Sequence, residues 1–537
     1  MSRSLEEIGR VVEEASPEAF LFVASKDEHP PKYEYVVVRS KELLGNQVRE
    51  VDVLAQVVGV VSTSPTYTTK LDYAALQRIH WAGIEDANVI CKARTLGFIV
   101  NEAGEKRILM PRRAIFPGNP VYLAPDDLVE EFFSYPEDGG IYIGHLISRP
   151  RIKAYLTVNG FRRHVAIIAQ TGAGKSYTVG VILEELLKKG ATVIVIDPHA
   201  DYVFLSQSKN GIRIEGADRI QVFRNPNSMA RYSAQDIDNL NSLTFKFSEL
   251  TYDEVAKIAG VSEAYTRIMR AFNDAIRALR EECEDSYGPK DLVEKLEKLS
   301  ETESKKDANY SAAISYARRL LKMKVFGDRT TPIEDIIRPF HISVLDLSGL
   351  NDVSQDYITY RILSEAMGLR VSGRFEWPIF IFIEEAHRFV PPGNRTKSSY
   401  IIKMIAAEGR KFGVFLTLIT QRPSKIDQDV LSQCNSQIIL RITNPKDQRA
   451  VQDASEQLGE SLMRDLPGLN VGEAIIVGPL TRVPLIVKVR ERISREGGAD
   501  IDLVEVLRNA RKELEKARCL AELRAASMVE DALLSEV

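Results

Sequence analysis

Cysteine is scarce in this chain: four residues in 537 (Cys91, Cys283, Cys434 and Cys519), far apart and never in a CxxC pair. Scattered thiols without Cys/His spacing exclude a zinc motif and a disulfide framework, and they point to a reducing, cytoplasmic setting. Long apolar runs are missing too. No uncharged stretch reaches the ~18 residues a spanning helix needs, so no membrane association is expected. The first twenty residues, MSRSLEEIGRVVEEASPEAF, interrupt their apolar stretches with acids, unlike a secretory leader. Nor does one sign of charge dominate, since 71 Lys+Arg against 75 Asp+Glu leave a net charge of -4. That excludes a chain coated in basic surface. It leaves open one that grips nucleic acid through local positive charge inside a pore.

What is present, 44% apolar and 27% charged residues, is the balance of a soluble globular protein. The length exceeds what one core serves, so two or three domains are expected. Residues 1–148 read as short β-branched strands punctuated by Gly, Pro and Asn: Tyr33–Val38, Val51–Val61, Thr95–Val100, Arg107–Met110 and Ile141–Ile143. Strands this short and numerous predict a small N-terminal β-barrel or sandwich. Over 149–248 and 328–490 the strands become continuous apolar runs separated by helical stretches: Val165–Ile168, Val193–Ile196, Ile342–Leu345, Ile379–Ile383, Val414–Ile419 and Ile438–Ile442. Runs apolar on both faces belong to a mostly parallel sheet covered by helices, an α/β core. Residues 249–327, rich in Glu, Lys, Arg, Ala and Leu, predict a helical insertion. Its segment Asp253–Arg270 reads either as a helix-turn-helix or as two packed helices with a glycine cap at Gly260. Within 491–537, Leu503, Leu507, Ala510, Leu514, Ala517 and Ala521 form a narrow seam on one long helix, suited to its own core or to a neighbouring subunit.

The sharpest local signal is Ala169-Gln170-Thr171-Gly172-Ala173-Gly174-Lys175-Ser176, followed by Tyr177, between an apolar strand and a helix. It meets the P-loop pattern G-x-x-x-x-G-K-[ST] except at its first position. Gly172 and Gly174 let backbone N–H groups face a phosphate, and the helix N-terminus adds partial positive charge. Lys175 reaches the β- and γ-phosphates of ATP, and the Ser176 hydroxyl is suited to Mg²⁺. A second signal is Ile379-Phe380-Ile381-Phe382-Ile383-Glu384-Glu385: two carboxylates at the C-terminal end of a buried strand, where open α/β sheets bind ligands. Side chains alternate along a strand, so the acids take different tasks: Glu384 on the Mg²⁺ shell, Glu385 on the attacking water. Gln421, after Val414–Ile419, is placed to sense the γ-phosphate. Arg410 is either a fixed cation for transition-state charge or a favourable arginine at a helix C-terminus. The loop Pro391–Ser399, with Arg395 and Lys397, lies beyond the acids and reads as a DNA-facing pore element or as a solvated loop.

The order of pieces, AQTGAGKS, IDPHADY (Ile196–Tyr202), VLDLSGL (Val344–Leu350), IFIEEAHRF, EGRKFGV, TLITQRPS and GEAIIVG (Gly472–Gly478), resembles the HerA family of the FtsK–HerA branch of P-loop ATPases. The likeness spans essentially the whole chain, barrel included. It implies a RecA-like core assembled as a hexameric ring (a homohexamer) around double-stranded DNA, with ATP hydrolysis driving translocation and unwinding. It implies Glu385 as the catalytic acid, Arg410 as a finger completing the neighbour's site, and a cis-acting arginine at Arg163, with Arg162 beside it as the alternative. It also implies a NurA-type nuclease docking on the barrel face, for DNA end resection in recombinational repair. Two residues depart from the family pattern: Ala169 for the first P-loop glycine and Ala200 for the glycine of IDPHADY. The alternatives are a conjugation- or secretion-type pump, an ATP-switched DNA-binding regulator and a small-molecule kinase.

Overall fold

The β-branched runs of the N-terminal region pair side by side until the edges of their sheet meet. The computed structural model describes residues 5–84, 86–102, 105–136, 138–262, 264–302, 308–393, 396–455, 457–498 and 503–534. Seven strands come first: β1 (Glu7–Val12), β2 (Ala19–Ala24), β3 (Tyr35–Leu44), β4 (Gln47–Thr63), β5 (Asn88–Glu102), β6 (Glu105–Leu109) and β7 (Pro120–Leu123). Pairing runs β2-β1-β7-β3-β4-β5, and β5 returns to β2 from Ala19↔Arg94 to Ala24↔Val89. Six strands therefore close into a barrel, and β6 extends β5 as a hairpin. Register shifts between β4 and β5 at Leu54/Ala55 and Val57/Gly59 bend these long strands, as closure requires. Phe20, Phe22, Val36, Val53 and Val121 fill the inside.

The second sheet contains β8 (Gly140–Leu146), β9 (Lys153–Thr157), β10 (Val165–Ile168), β11 (Thr192–Asp197), β12 (Ile220–Arg224) and β13 (Leu240–Ser242). A two-residue pair, β14 (Phe245–Lys246) with β15 (Phe326–Gly327), stands apart at the base of the insertion. The large sheet resumes with β16 (Ile342–Asp346), β17 (Ile379–Ile383), β18 (Val414–Thr420), β19 (Ser436–Ile439), β20 (Glu473–Val477) and β21 (Leu485–Val489). Its order is β13-β12-β16-β11-β17-β18-β10-β19-β20-β21-β8-β9. Neighbours from β13 to β19 are parallel, and those from β19 to β9 are antiparallel. β10, β11, β16, β17 and β18 are buried at every position, so both faces are covered. One strand, β18, separates the P-loop strand β10 from the acid-bearing strand β17, giving the RecA-like core.

One boundary moves. The run at Ile141–Ile143, read with the barrel, belongs to β8 and pairs with β21. The barrel is already closed at β7, and the helix Asp126–Phe133 carries the chain away from it.

Among the described residues the insertion holds the helices Tyr252–Ala259, Thr266–Cys283, Pro289–Thr302 and Ala308–Leu320. A capping box between Thr251 and Glu254 starts the first, and Gly260 (φ 91°) ends it. Val255, Ile258, Phe272 and Ile276 are buried with the core, so the helix-turn-helix-like segment is a packed helix pair. The C-terminal helix Leu503–Leu534 behaves differently. Its 32 residues make a rod of ~48 Å. Every side chain described on it is exposed, Leu507 at 67% and Leu514 at 72%, so its seam is not spent on its own core. No helix among the described residues is long and apolar enough to cross a membrane.

His164, just ahead of β10, is buried and accepts the Leu416 N–H on Nδ1 at 2.9 Å, which ties the P-loop strand to β18. Burial lowers its pKa from 6.5 to about 4. The unfolded chain therefore binds the extra proton first, and stability falls as pH drops from 6.5 towards 4, by up to about 3 kcal/mol. The melting temperature of the wild type should drop more between pH 7 and pH 5 than that of His164→Gln. Equal drops would remove His164 as the cause.

Candidate active site

The cradle begins where β10 runs out. Ala169 donates its N–H to the Thr420 carbonyl (3.2 Å) and Gln170 to the Arg441 carbonyl (3.0 Å), so the loop hangs from both flanking strand ends. Ala169 is not among the positive-φ residues, and its methyl is fully buried without strain. Gly172 (φ 75°) and Gly174 (φ 98°) take the left-handed turns that only glycine adopts freely. The helix Lys175–Lys188 follows and presents its N-terminus to a cleft of about 970 Å³, a size that suits a nucleotide. Gln170, Thr171, Gly172, Gly174, Lys175, Ser176 and Tyr177 line the cleft with Asp201, Glu385, Gln421, Lys488 and Glu491, while the Ala173 side chain is buried away from it.

At the end of β17 the two acids part. Glu385 lies in the left-handed region (φ 50°, ψ 45°), which costs a non-glycine residue of order 1–3 kcal/mol and is typical of functional turns. That turn sends its carboxylate into the cleft. There it accepts the Gln421 Nε2 proton at 2.6 Å, with Lys175 Nζ at 3.4 Å and His387 Nδ1 at 3.2 Å. Burial by itself would raise the pKa of Glu385. His387, Lys175 and Gln421 outweigh it and hold the value down at about 2. The group is thus ionised at neutral pH and able to orient a water. Burial lowers the Lys175 ammonium below its ordinary range, against the pull of Glu385 and Asp201. Gln421 also accepts from the Thr171 hydroxyl, so it bridges the P-loop and the acid.

Glu384, the first of the pair, sits behind the cleft. It is fully buried and absent from the cleft lining; one oxygen is taken by the Lys175 ammonium and the other by the Tyr202 hydroxyl at 2.7 Å. Both acids stand just beyond β17, and the left-handed turn at Glu385 separates them and leaves Glu384 facing inward. The carboxylate beside Ser176 is that of Asp201, whose Oδ2 accepts from Ser176 Oγ at 2.8 Å. Asp201 belongs to the IDPHADY segment, where sequence alone gives it no assigned task. Its signal was an acid four residues beyond the end of a core strand, behind Ala200 in a position (φ 61°) that favours glycine.

A strap after β21 also escaped the sequence. The Arg492 N–H donates to Tyr177 Oη (2.7 Å) and its guanidinium to the Ser176 carbonyl (3.3 Å). Ile493 and Ser494 donate their N–H groups to Glu184, and Arg490 pairs with Glu184 and Glu185, each at 2.9 Å. The C-terminal segment thereby fastens the start of the P-loop helix.

The two arginines lie elsewhere. Arg410 is near the end of the helix Lys397–Phe412, just before β18, and Arg163 just before β10; both are exposed, as is Arg162. β10 and β18 run parallel, so these arginines occupy the strand N-terminal edge of the sheet. The P-loop and Glu385 occupy the opposite edge. Lys397 opens the following helix rather than a surface loop. Asp356 accepts the N–H groups of Lys397 and Ser398, and the Lys397 ammonium is buried with no hydrogen-bond partner among the described residues. Burial lowers its pKa to about 7. This arrangement does not present Lys397 to DNA. Arg395 lies outside the described residues.

Residues 141–366 match the family model described as Helicase HerA, central domain. The chain is 34% identical over 436 residues to a probable helicase of Methanocaldococcus jannaschii, covering 78% of this chain and 79% of that one. It is 32% identical over 485 residues to the DNA double-strand break repair helicase HerA of Pyrococcus furiosus, covering 78% and 82%. Among solved structures, VirB4 of Thermoanaerobacter pseudethanolicus aligns with a TM-score of 0.47 at 16% identity, over 66% of this chain and 98% of that one.

Proposed function

This chain belongs to the HerA helicase family, and from that premise we propose that it is an ATP-driven motor that translocates on duplex DNA and unwinds it. The observation that carries the reading is the division of the site across the sheet. The P-loop, Glu385 and Gln421 meet at one edge, while Arg410 and Arg163 stand exposed at the other. A cleft that needs a further cation for transition-state charge receives it from the far edge of a second copy. Head-to-tail contacts of this kind close into rings, here a homohexamer. The exposed seam of the C-terminal helix offers each copy a further contact with its neighbour.

ATP binds with its phosphates on the P-loop N–H groups and Lys175, which exchanges the acids for the β- and γ-phosphates. The donors near the phosphates, a hydroxyl and carboxylates, are hard oxygens that fit Mg²⁺, with Ser176 among its holders; the ion neutralises charge on the phosphate oxygens when bound. Glu385 orients the attacking water and takes its proton, and Arg410 of the next copy stabilises the charge spread over the γ-phosphoryl group. Gln421, joined to both Thr171 and Glu385, passes the change at the γ-phosphate to β18. DNA lies in the ring and is held through its phosphates. The barrel face receives a NurA-type nuclease, and the pair resects DNA ends in recombinational repair.

Duplex DNA should raise ATP turnover several-fold in an assembly whose size, by light scattering, is a multiple of the chain, and salt should weaken the effect. A monomer whose turnover ignores DNA would defeat the proposal.

A further inference from the structure

We propose that Arg492 is a positioning residue for the nucleotide: it sets Ser176 and Tyr177 from behind and lends the phosphates a buried positive charge. This rests on the cleft being an ATP site. Arg492 is only 2% exposed and stays outside the cleft lining, to which Ser176 and Tyr177 belong. Its backbone N–H donates to Tyr177 Oη at 2.7 Å. Its guanidinium donates to the Ser176 carbonyl (3.3 Å), Ser494 Oγ (2.9 Å) and the Arg495 carbonyl (3.1 Å). All three oxygens are uncharged. Arg490, two residues earlier, meets the carboxylates of Glu184 and Glu185, but no carboxylate pairs with Arg492 among the described residues. Glu496 feels the charge without a bond to it. Burying an ion without its counter-charge is costly. The anion that can answer this charge is the phosphate chain that the P-loop receives.

The place is built for this side chain. Gly180 lies in the second turn of the P-loop helix, and a Cβ there would fall 2.3 Å from Arg492 Nε and 2.5 Å from Cζ. Glycine weakens a helix interior, and here the guanidinium explains it by filling the space a side chain would take. Glu184 keeps the strap in register. It accepts the N–H groups of Ile493 (2.9 Å) and Ser494 (2.7 Å) and the Ser494 hydroxyl (2.8 Å). Ser494 Oγ in turn accepts from Arg492 Nε, so the guanidinium is held at all three of its nitrogens. A cation fixed beside the first turn of the helix adds to the positive end of its dipole, where the phosphates bind. Away from water that charge is poorly screened and acts across the Ser176 backbone.

Displacement of a fluorescent ADP from the full chain by AMP, ADP and ATP, in EDTA, tests this without relying on turnover. Arg492→Met keeps the apolar stem and removes the charge. It should bind ATP about 10-fold more weakly and AMP within about 2-fold of the wild type, since a charge effect grows with the number of phosphates. In turnover with Mg²⁺ the loss should fall on KM for ATP more than on kcat. Without nucleotide its melting temperature should hold or rise, because methionine removes a buried charge that has no partner. Arg492→Lys returns the charge without the planar fork and should recover much of the ATP affinity. Gly180→Ala pushes the guanidinium off Ser176 and should show the same gradation from AMP to ATP on a smaller scale. It decides the matter should Arg492→Met not fold. Wild-type ATP affinity in the variant that decides overturns the proposal. So does an equal weakening of AMP, ADP and ATP with a fallen melting temperature, the mark of a plain fastening of the fold. A wild type that binds neither ADP nor ATP overturns the ATP reading itself, and this assignment with it.

Discussion

Glu385→Gln should lower ATP turnover by about 10³-fold and leave nucleotide binding intact, because general-base assistance contributes ~10²–10⁴. The amide matches the carboxylate in shape and tolerates the left-handed turn no worse, so the lesion is one of charge. It removes the anion that Gln421 and Lys175 now face. Lys175 is then freer to leave for the phosphates, and nucleotide affinity should hold or rise. Steady-state turnover and a fluorescent-nucleotide titration separate the two effects. Wild-type turnover in this variant would remove Glu385 from the mechanism. The depressed pKa adds a second check: the carboxylate stays ionised down to about pH 2, so an acid limb near pH 5 in the wild-type rate profile must have another source.

Arg410→Ala should be nearly as damaging, by about 10³-fold if the arginine acts as a finger, and it should spare nucleotide binding. The informative experiment is a mixture. Lys175→Ala chains cannot use their own P-loop but still present Arg410, and Arg410→Ala chains have the reverse defect. In mixed rings at equal ratio, about a quarter of interfaces should pair an intact cradle with an intact arginine, so turnover should rise well above the residual level of either variant alone. Absence of recovery in rings shown to mix would place Arg410 outside the neighbour's site. Undiminished turnover in Arg410→Ala alone would make it an ordinary helix-end arginine.

The core strands were readable because burial on both faces leaves continuous apolar runs, and the P-loop because glycine and lysine at fixed spacing have few other uses. What stayed hidden was set by partners distant in sequence. β8 carries the same β-branched residues as a barrel strand, and only its pairing with β21 puts it in the motor sheet. Strand alternation does not reach Glu384 and Glu385, which lie beyond β17; the left-handed turn at Glu385 and the Tyr202 and Lys175 contacts of Glu384 set their directions. Lys397 looked exposed in a polar loop until Asp356, from the helix Asp352–Val371, capped the following helix at that residue. Asp201 and Arg492 sit in segments that only the folded chain brings to Ser176.

The attachment of β8 and β9 also dictates an order of events at the ribosome. The barrel is closed by strands that end at Leu123, so it can fold early in synthesis. The β8–β9 hairpin comes next, yet the strand it pairs with in the large sheet, among the described residues, is β21, more than 300 residues later. Until β21 emerges, the hairpin and the open edge of β20 both offer unpaired backbone, the kind of surface that recruits wrong strands. The strap that fastens Ser176 and Tyr177 emerges later still. A growing chain therefore carries a finished barrel beside an unfinished motor for most of its synthesis, and its nucleotide site is completed last.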